Sequence, residues 1–151
     1  MREAGVNVRG APPRELDASN ELMQLVFLGS DHGIESVRAS GGPLTPFLMV
    51  GSDGGNTLHR FVAETLEDSL GHARRFAYDL GSDALRYAIA YDGYVTLSGQ
   101  RTDAIMVDAA ERGNLQSYIF AQRYRPRRFM QEFEKIGNPA FVDRGRSMFH
   151  F

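Results

Sequence analysis

Hydrophobic positions along this chain follow two rhythms, one with the period of a helix and one with that of a strand. Over residues 17–39, Leu22, Leu25, Val26, Gly29, His32, Gly33 and Val37 recur at spacings of three and four, which predicts an amphipathic helix. Asp17 is its expected cap, because a carboxylate there can accept a bond from an early backbone N–H. Gly29 and Gly33 each cost about 1 kcal/mol relative to alanine inside a helix. They imply either an element packed close against them, or a break at Gly29 with a restart at Ile34. Gly41-Gly42-Pro43 ends the segment. Two short strands follow, residues 46–50 and 57–62, joined by a six-residue turn-rich loop, 51–56.

A second helix is predicted over 63–80, where Val62, Leu66, Leu70, Ala73, Ala77 and Leu80 form one stripe with Phe76 beside it. Thr65 and Asp68 are spaced as a capping box, so the start falls at Ala63 or Thr65, and Gly81 stands where a C-terminal cap belongs. Three strands come next, 85–97, 101–111 and 116–124, with turns at Ser98-Gly99 and Gly113-Asn114. Pro126 then suits the first turn of a third helix, 127–136, with Phe129, Phe133 and Ile136 on one face and Gly137-Asn138-Pro139 as its stop. The remaining residues carry Phe141, Val142, Met148, Phe149 and Phe151 around Arg144-Gly145, a candidate terminal hairpin. Residues 1–13 show no periodicity and read as a flexible arm before a single domain, 14–151.

The order α-β-β-α-β-β-β-α with short turns implies antiparallel pairing. The expected fold is therefore α+β, an antiparallel sheet of about five strands with helices packed mainly on one face. Two-residue turns would also fix the register. One sheet face then carries Ala88, Ala109 and Tyr118, followed by Ala90, Val107 and Phe120, then Asp92, Ile105 and Gln122, then Tyr94, Asp103 and Tyr124. The other carries Tyr87, Ile89, Tyr91 and Val95 with Met106, Asp108, Ile119 and Ala121. Both faces are apolar in the middle, whereas a half-solvated sheet shows one polar face. A second copy of the chain or another partner is the expected cover for the face the helices leave bare.

Composition narrows the chemistry. The 151 residues include no cysteine, which excludes disulfides, thiolate metal sites and a cysteine nucleophile. No apolar run reaches the roughly 18 residues of a membrane span, and no apolar leader opens the sequence, so a cytoplasmic protein without membrane contact is expected. Sixteen arginines against one lysine, Lys135, point to a bacterial source with GC-rich codons. Net charge is −2, unfavourable for general nucleic-acid or membrane coating. The charge is unevenly placed: residues 1–111 hold 9 basic and 16 acidic side chains, and residues 112–151 hold 8 and 3. An acidic body with a basic end suits pairing with itself or with another charged protein.

Few motifs carry chemistry. His32, His59, His72 and His150 lack metal-ligand spacing, so neither a metal nor a cofactor is expected. The glycine-rich 51–56 segment lacks the lysine of a phosphate loop and leads into a strand. Two constellations remain. Asp92, Tyr94, Asp103, Gln122 and Tyr124 form a polar corner of the sheet, where Asp92 and Asp103 as diagonal neighbours could share a proton or hold a ligand. Arg123, Arg125, Arg127 and Arg128 form a basic run around Tyr124, fit for an anion, a partner's carboxylates, or phosphates and bases. Arg127 and Arg128 at a helix start would face its positive end and need carboxylate partners. The leading expectation is a non-enzymatic, homodimeric binding or assembly module. A small enzyme or ligand-binding domain using the polar corner is the first alternative, and a nucleic-acid binder through residues 123–128 is the second.

Overall fold

The computed structural model describes residues 4–7 and 16–150; of residues 4–7 the backbone path is defined. Its elements in chain order are β1 (Ala4–Asn7), α1 (Asn20–Ser40), β2 (Phe47–Ser52), β3 (Gly55–Arg60), α2 (Leu66–Tyr78), β4 (Arg86–Leu97), β5 (Gln100–Glu111), β6 (Gln116–Arg125) and β7 (Glu134–Arg146). Six strands form an antiparallel sheet in the order β3-β2-β4-β5-β6-β7, and β1 lies parallel beside the far half of β4. The class is α+β, as expected, but with one more antiparallel strand and one fewer helix. Of the segment read as an arm, Ala4–Asn7 is a strand paired with residues 93–96; the rest of 1–13, and Phe151, lie outside the described residues.

Helix α1 is continuous through both glycines. Ser19, not Asp17, caps it: the Ser19 side chain accepts from the Leu22 N–H at 3.1 Å. Asp17 instead accepts from the Tyr118 hydroxyl on β6 and pairs with Arg144. Gly41, at φ +84°, takes the left-handed turn that ends the helix. The glycines inside it mark close packing. A β-carbon on Gly33 would fall 2.8 Å from the Ile105 methyl, so the helix meets the sheet at that point without a side chain between them.

Thr65 caps α2, as one of the two expected starts, with its side chain accepting from the Asp68 N–H. The helix ends at Asp79, two residues before Gly81. Its buried face is narrower than the predicted stripe: Ala73 and Ala77 are fully buried, Leu70 is half-buried and Val62 is exposed. The first hairpin is also tighter than expected. β2 and β3 pair as far as Ser52–Gly55, so the turn is Asp53-Gly54 rather than a six-residue loop.

The meander has the predicted register. Ser98 and Gly99 both take positive φ, 51° and 77°, in the two-residue turn that matches strand twist. Ala88 pairs Ala109, Ala90 pairs Val107, Asp92 pairs Ile105 and Tyr94 pairs Asp103. On β6, Tyr118, Phe120 and Gln122 continue the same rows.

The predicted third helix does not exist. Residues 126–131 form a turn and β7 returns along β6, pairing Arg125 with Glu134 and Tyr124 with Lys135. The spacing of Phe129, Phe133 and Ile136 imitates a helix because β7 is not a regular strand. Its register shifts between Ile119/Phe120 and Ala121/Arg123 on β6, and Gly137 takes φ +65°. Each extra residue at such a bulge shifts the two-residue alternation and hides it. The candidate terminal hairpin around Arg144-Gly145 is likewise part of β7.

The helices lie on opposite faces of the sheet, not together on one. Leu22, Leu25, Val26, Ile34 and Val37 of α1 pack with Ala88, Ala90, Ile105, Val107, Tyr118 and Phe120. Ala73 and Ala77 of α2 pack with Tyr87, Ile89, Tyr91, Met106 and Phe149 on the other face. Phe149 sits 5.1 Å from the Tyr87 ring, with the Arg112 guanidinium 4.3 Å above it. The second apolar face is thus covered by the chain's own α2 and C-terminal residues.

Candidate functional site

Helix α1 is shorter than the strands beneath it. It stops at Gly41, and the ends of β4, β5 and β6 run on past it. Asp92, Tyr94, Arg101, Asp103, Gln122 and Tyr124 all belong to the rows that face α1. Where the helix no longer covers those rows, a cleft of about 950 Å³ opens. Its walls are the Gly41-Gly42-Pro43 turn, the start of α2 at Glu64, Thr65 and Leu66, the strand residues Asp92, Arg101, Asp103 and Tyr124, and Pro126 and Arg128 from the β6–β7 turn.

The polar corner divides between structural and cleft-facing groups. Asp92 is buried, and its Oδ2 accepts from the Leu44 N–H at 2.8 Å while its Oδ1 accepts from the Tyr124 hydroxyl at 2.9 Å. It ties the turn after α1 to β6, a structural task, and forms the cleft floor. Asp103, less buried, lines the cleft and makes no ion pair among the described residues. Tyr94 turns to Arg101, whose guanidinium lies 4.1 Å from its ring, and Tyr94 is not part of the cleft wall.

Gln122 does not line the cleft either. It is fully buried at the bulge, where its Nε2 donates to the carbonyls of Arg123, Ile136 and Gly137 at 3.0–3.1 Å. The carbonyls at the bulge thereby receive a side-chain donor.

The basic run does not form one patch. Arg123 is half-buried in β6 and Arg125 pairs with Glu134 at 3.3 Å. Arg127 and Arg128 stand exposed in the turn, and neither has an ion pair among the described residues. Neither therefore has a carboxylate partner among the described residues, and the electrostatic reason to expect one is gone: no helix begins there.

Sequence reading missed Glu64, Arg101 and the Gly41–Pro43 turn as cleft residues. The capping box at Thr65 was visible, but nothing local shows that the start of α2 faces the end of β5. A second polar group, on the α2 face, was also missed. Asp108 lies among Tyr87, Tyr91, Ser117 and Arg74. Burial pushes its carboxyl above the ordinary range, against the pull of Ser117 and Arg74. Burial also pushes the Tyr87 and Tyr91 hydroxyls up to about 12. Among the described residues no group of three His, Asp or Glu side chains is placed to hold a metal ion, and no helix is long and apolar enough to cross a membrane.

Fold and site together define an α+β domain, an antiparallel sheet between two helices with a charged cleft at one end. No protein-family model matches the chain, and no curated protein or solved structure is significantly similar to it.

Proposed function

We propose that this chain is a non-enzymatic binding domain whose cleft holds a small polar ligand bearing both a negative and a positive group. The observation that carries the reading is the convergence of Glu64, Asp103, Arg101 and Arg128 on one cleft of about 950 Å³, within the size of ordinary ligand sites. Arg128 suits the anionic end, since a guanidinium offers forked donors to a carboxylate or phosphate. Asp103 and Glu64 suit the cationic end. Binding rather than catalysis is favoured because the two groups best buried there, Asp92 and Tyr124, are bonded to each other, and Asp92 also holds the Leu44 N–H. A bacterial, cytoplasmic setting belongs to the same proposal and rests on sequence composition.

The test is a titration of isotope-labelled protein with amino-acid-sized zwitterions, followed by amide chemical shifts. Shifts at Gly41, Gly42, Thr65 and Asp103 are expected, with affinity falling about tenfold or more in Asp103→Asn and in Arg128→Gln, the worth of one charge-assisted bond. No shift with any member of the class, or wild-type affinity in both variants, overturns the reading.

A second reading, self-association, keeps one specific support: Arg127 and Arg128, exposed and without ion pairs among the described residues, at the basic end of an otherwise acidic chain. Sedimentation of the Arg127→Glu/Arg128→Glu variant at low and high salt decides it. A wild-type dimer that weakens with salt and is lost in the variant supports this reading, and a wild-type monomer at micromolar concentration ends it.

A further inference from the structure

The turn between β6 and β7 ends in two apolar side chains with almost nothing around them. Phe129 is 95% exposed and Met130 is 91% exposed, more than any other large hydrophobic residue described. They occupy the two central positions of a hairpin closed by reciprocal bonds, Arg128 N–H to the Gln131 carbonyl and Gln131 N–H to the Arg128 carbonyl, both 2.9 Å. The Gln131 side chain braces the turn by donating to the Pro126 carbonyl at 2.7 Å. Met130 takes φ +63°, a left-handed position that favours glycine or asparagine. The tip is therefore a defined shape, and it carries a large apolar side chain where the backbone would prefer none. Directly behind it stand Arg127 and Arg128, both exposed and without ion pairs among the described residues. One rung further back Arg125 is already matched by Glu134.

We propose that this hairpin tip docks on an anionic lipid surface, with Phe129 and Met130 entering the boundary between headgroups and acyl chains and Arg127 and Arg128 taking lipid phosphates. An interfacial anchor needs apolar groups that reach only about 5–10 Å and cations just above them, which is the order of groups found here. A protein partner fits less well. Two side chains fall far short of the roughly 1,200 Å² that a stable interface buries, and the ground around the tip is arginine rather than apolar surface. A nucleic acid lying along the hairpin would meet Glu132 and Glu134 on the returning side and Asp103 and Glu64 in the cleft. A membrane met end-on touches the tip and its collar alone. The expectation of no membrane contact rested on the missing span and the average charge, neither of which reports on one turn. This inference goes beyond the ligand reading, and Pro126 and Arg128, shared by hairpin and cleft, would bring the cleft close to the bilayer.

The test is co-sedimentation of the whole chain with vesicles of phosphatidylcholine alone and of phosphatidylcholine with phosphatidylserine, at low and high salt. Binding to the anionic vesicles is expected, falling about tenfold or more in Phe129→Ser/Met130→Gly. Arg127→Gln/Arg128→Gln should abolish the preference for anionic lipid. Leu115→Ser, which removes another exposed leucine, should change nothing. Glycine suits the left-handed position, so the tip variant should keep the wild-type melting temperature, and its folding is checked in the same preparation. The chain has no tryptophan, so Phe129→Trp supplies a single tryptophan, excited apart from the tyrosines, that lipids brominated near the headgroup should quench. Wild-type protein that stays in the supernatant with anionic vesicles overturns the proposal, as does a tip variant that sediments like wild type. A lipid-free dimer, or retention of single- or double-stranded DNA, that is lost in the tip variant while vesicles are ignored overturns it in favour of a second copy or of nucleic acid.

Discussion

One methyl group distinguishes the two glycines inside α1. A β-carbon on Gly29 would rest 3.8–3.9 Å from Met49, Ala88 and Val107, ordinary contact, whereas one on Gly33 would press to 2.8 Å on the Ile105 methyl. Gly29→Ala should therefore raise stability by about 1 kcal/mol through helix propensity. Gly33→Ala should lower it by about 1–3 kcal/mol, because a branched core side chain must shift. Urea denaturation of the two variants checks this, and shifts of the same sign would mean that the helix sits differently on the sheet. Asp108 gives a second test, in pH. Its folded carboxyl holds a proton more readily than the unfolded chain's, which titrates near 3.8. Between those two pKa values the folded state binds more protons, so stability falls as pH rises through that window and stays reduced above it. Asp108→Asn should be more stable than wild type at about pH 7 and equal to it at about pH 3, below both values. Urea midpoints at the two pH values measure it, and a variant less stable at neutral pH would mean that the ionised carboxylate stabilises the fold.

Among the elements, the central meander was the most legible in the sequence and β7 the least, for opposite physical reasons. Ser98 and Gly99 accept positive φ, so their turn has one geometry, and that turn sets every pair from Arg86–Glu111 to Leu97–Gln100. In β7 the interruptions at the bulges mimic a three-to-four spacing, and strand identity is conferred by β6, a distant pattern rather than a local one. The side chain that stabilises this irregular pairing is Gln122. Gln122→Leu keeps the volume but removes the donors to the carbonyls of Arg123, Ile136 and Gly137. It should cost about 1–3 kcal/mol, with amide exchange speeding up first at residues 123 and 136–137. A variant as stable as wild type, with unchanged exchange there, would show that those carbonyls find other donors.

At the scale of the whole molecule, the sequence showed that both sheet faces must be covered but not by what. α2 was expected beside α1, and Phe149 was placed only in a candidate terminal hairpin. Its burial against Tyr87 makes it part of the second face. Phe149→Ala should then cost about 3–5 kcal/mol at any protein concentration, and a loss of stability that disappears on dilution would instead point to a neighbouring chain. The candidate site was half legible. Register placed Asp92, Asp103 and Tyr124 together, whereas Glu64 and the glycine turn arrive from elements whose packing no periodicity reports, and Tyr94 and Gln122 were drawn away by Arg101 and by the bulge.

The late position of the meander in the chain bears on synthesis. α1 is made early, yet the surface that buries Leu22, Leu25, Val26, Ile34 and Val37 comes from β4 and β5. Residues up to Glu111 must leave the ribosome before that stripe has anywhere to go. β2 waits in the same way, since its inner edge pairs with β4. The nascent chain therefore carries an uncovered apolar helix through most of its translation, the kind of segment that chaperones and proteases engage. Translation intermediates arrested before β5 emerges should be cut within α1 by a probing protease, and those arrested after β6 should be spared. Equal protection of both would mean that α1 finds an earlier shelter.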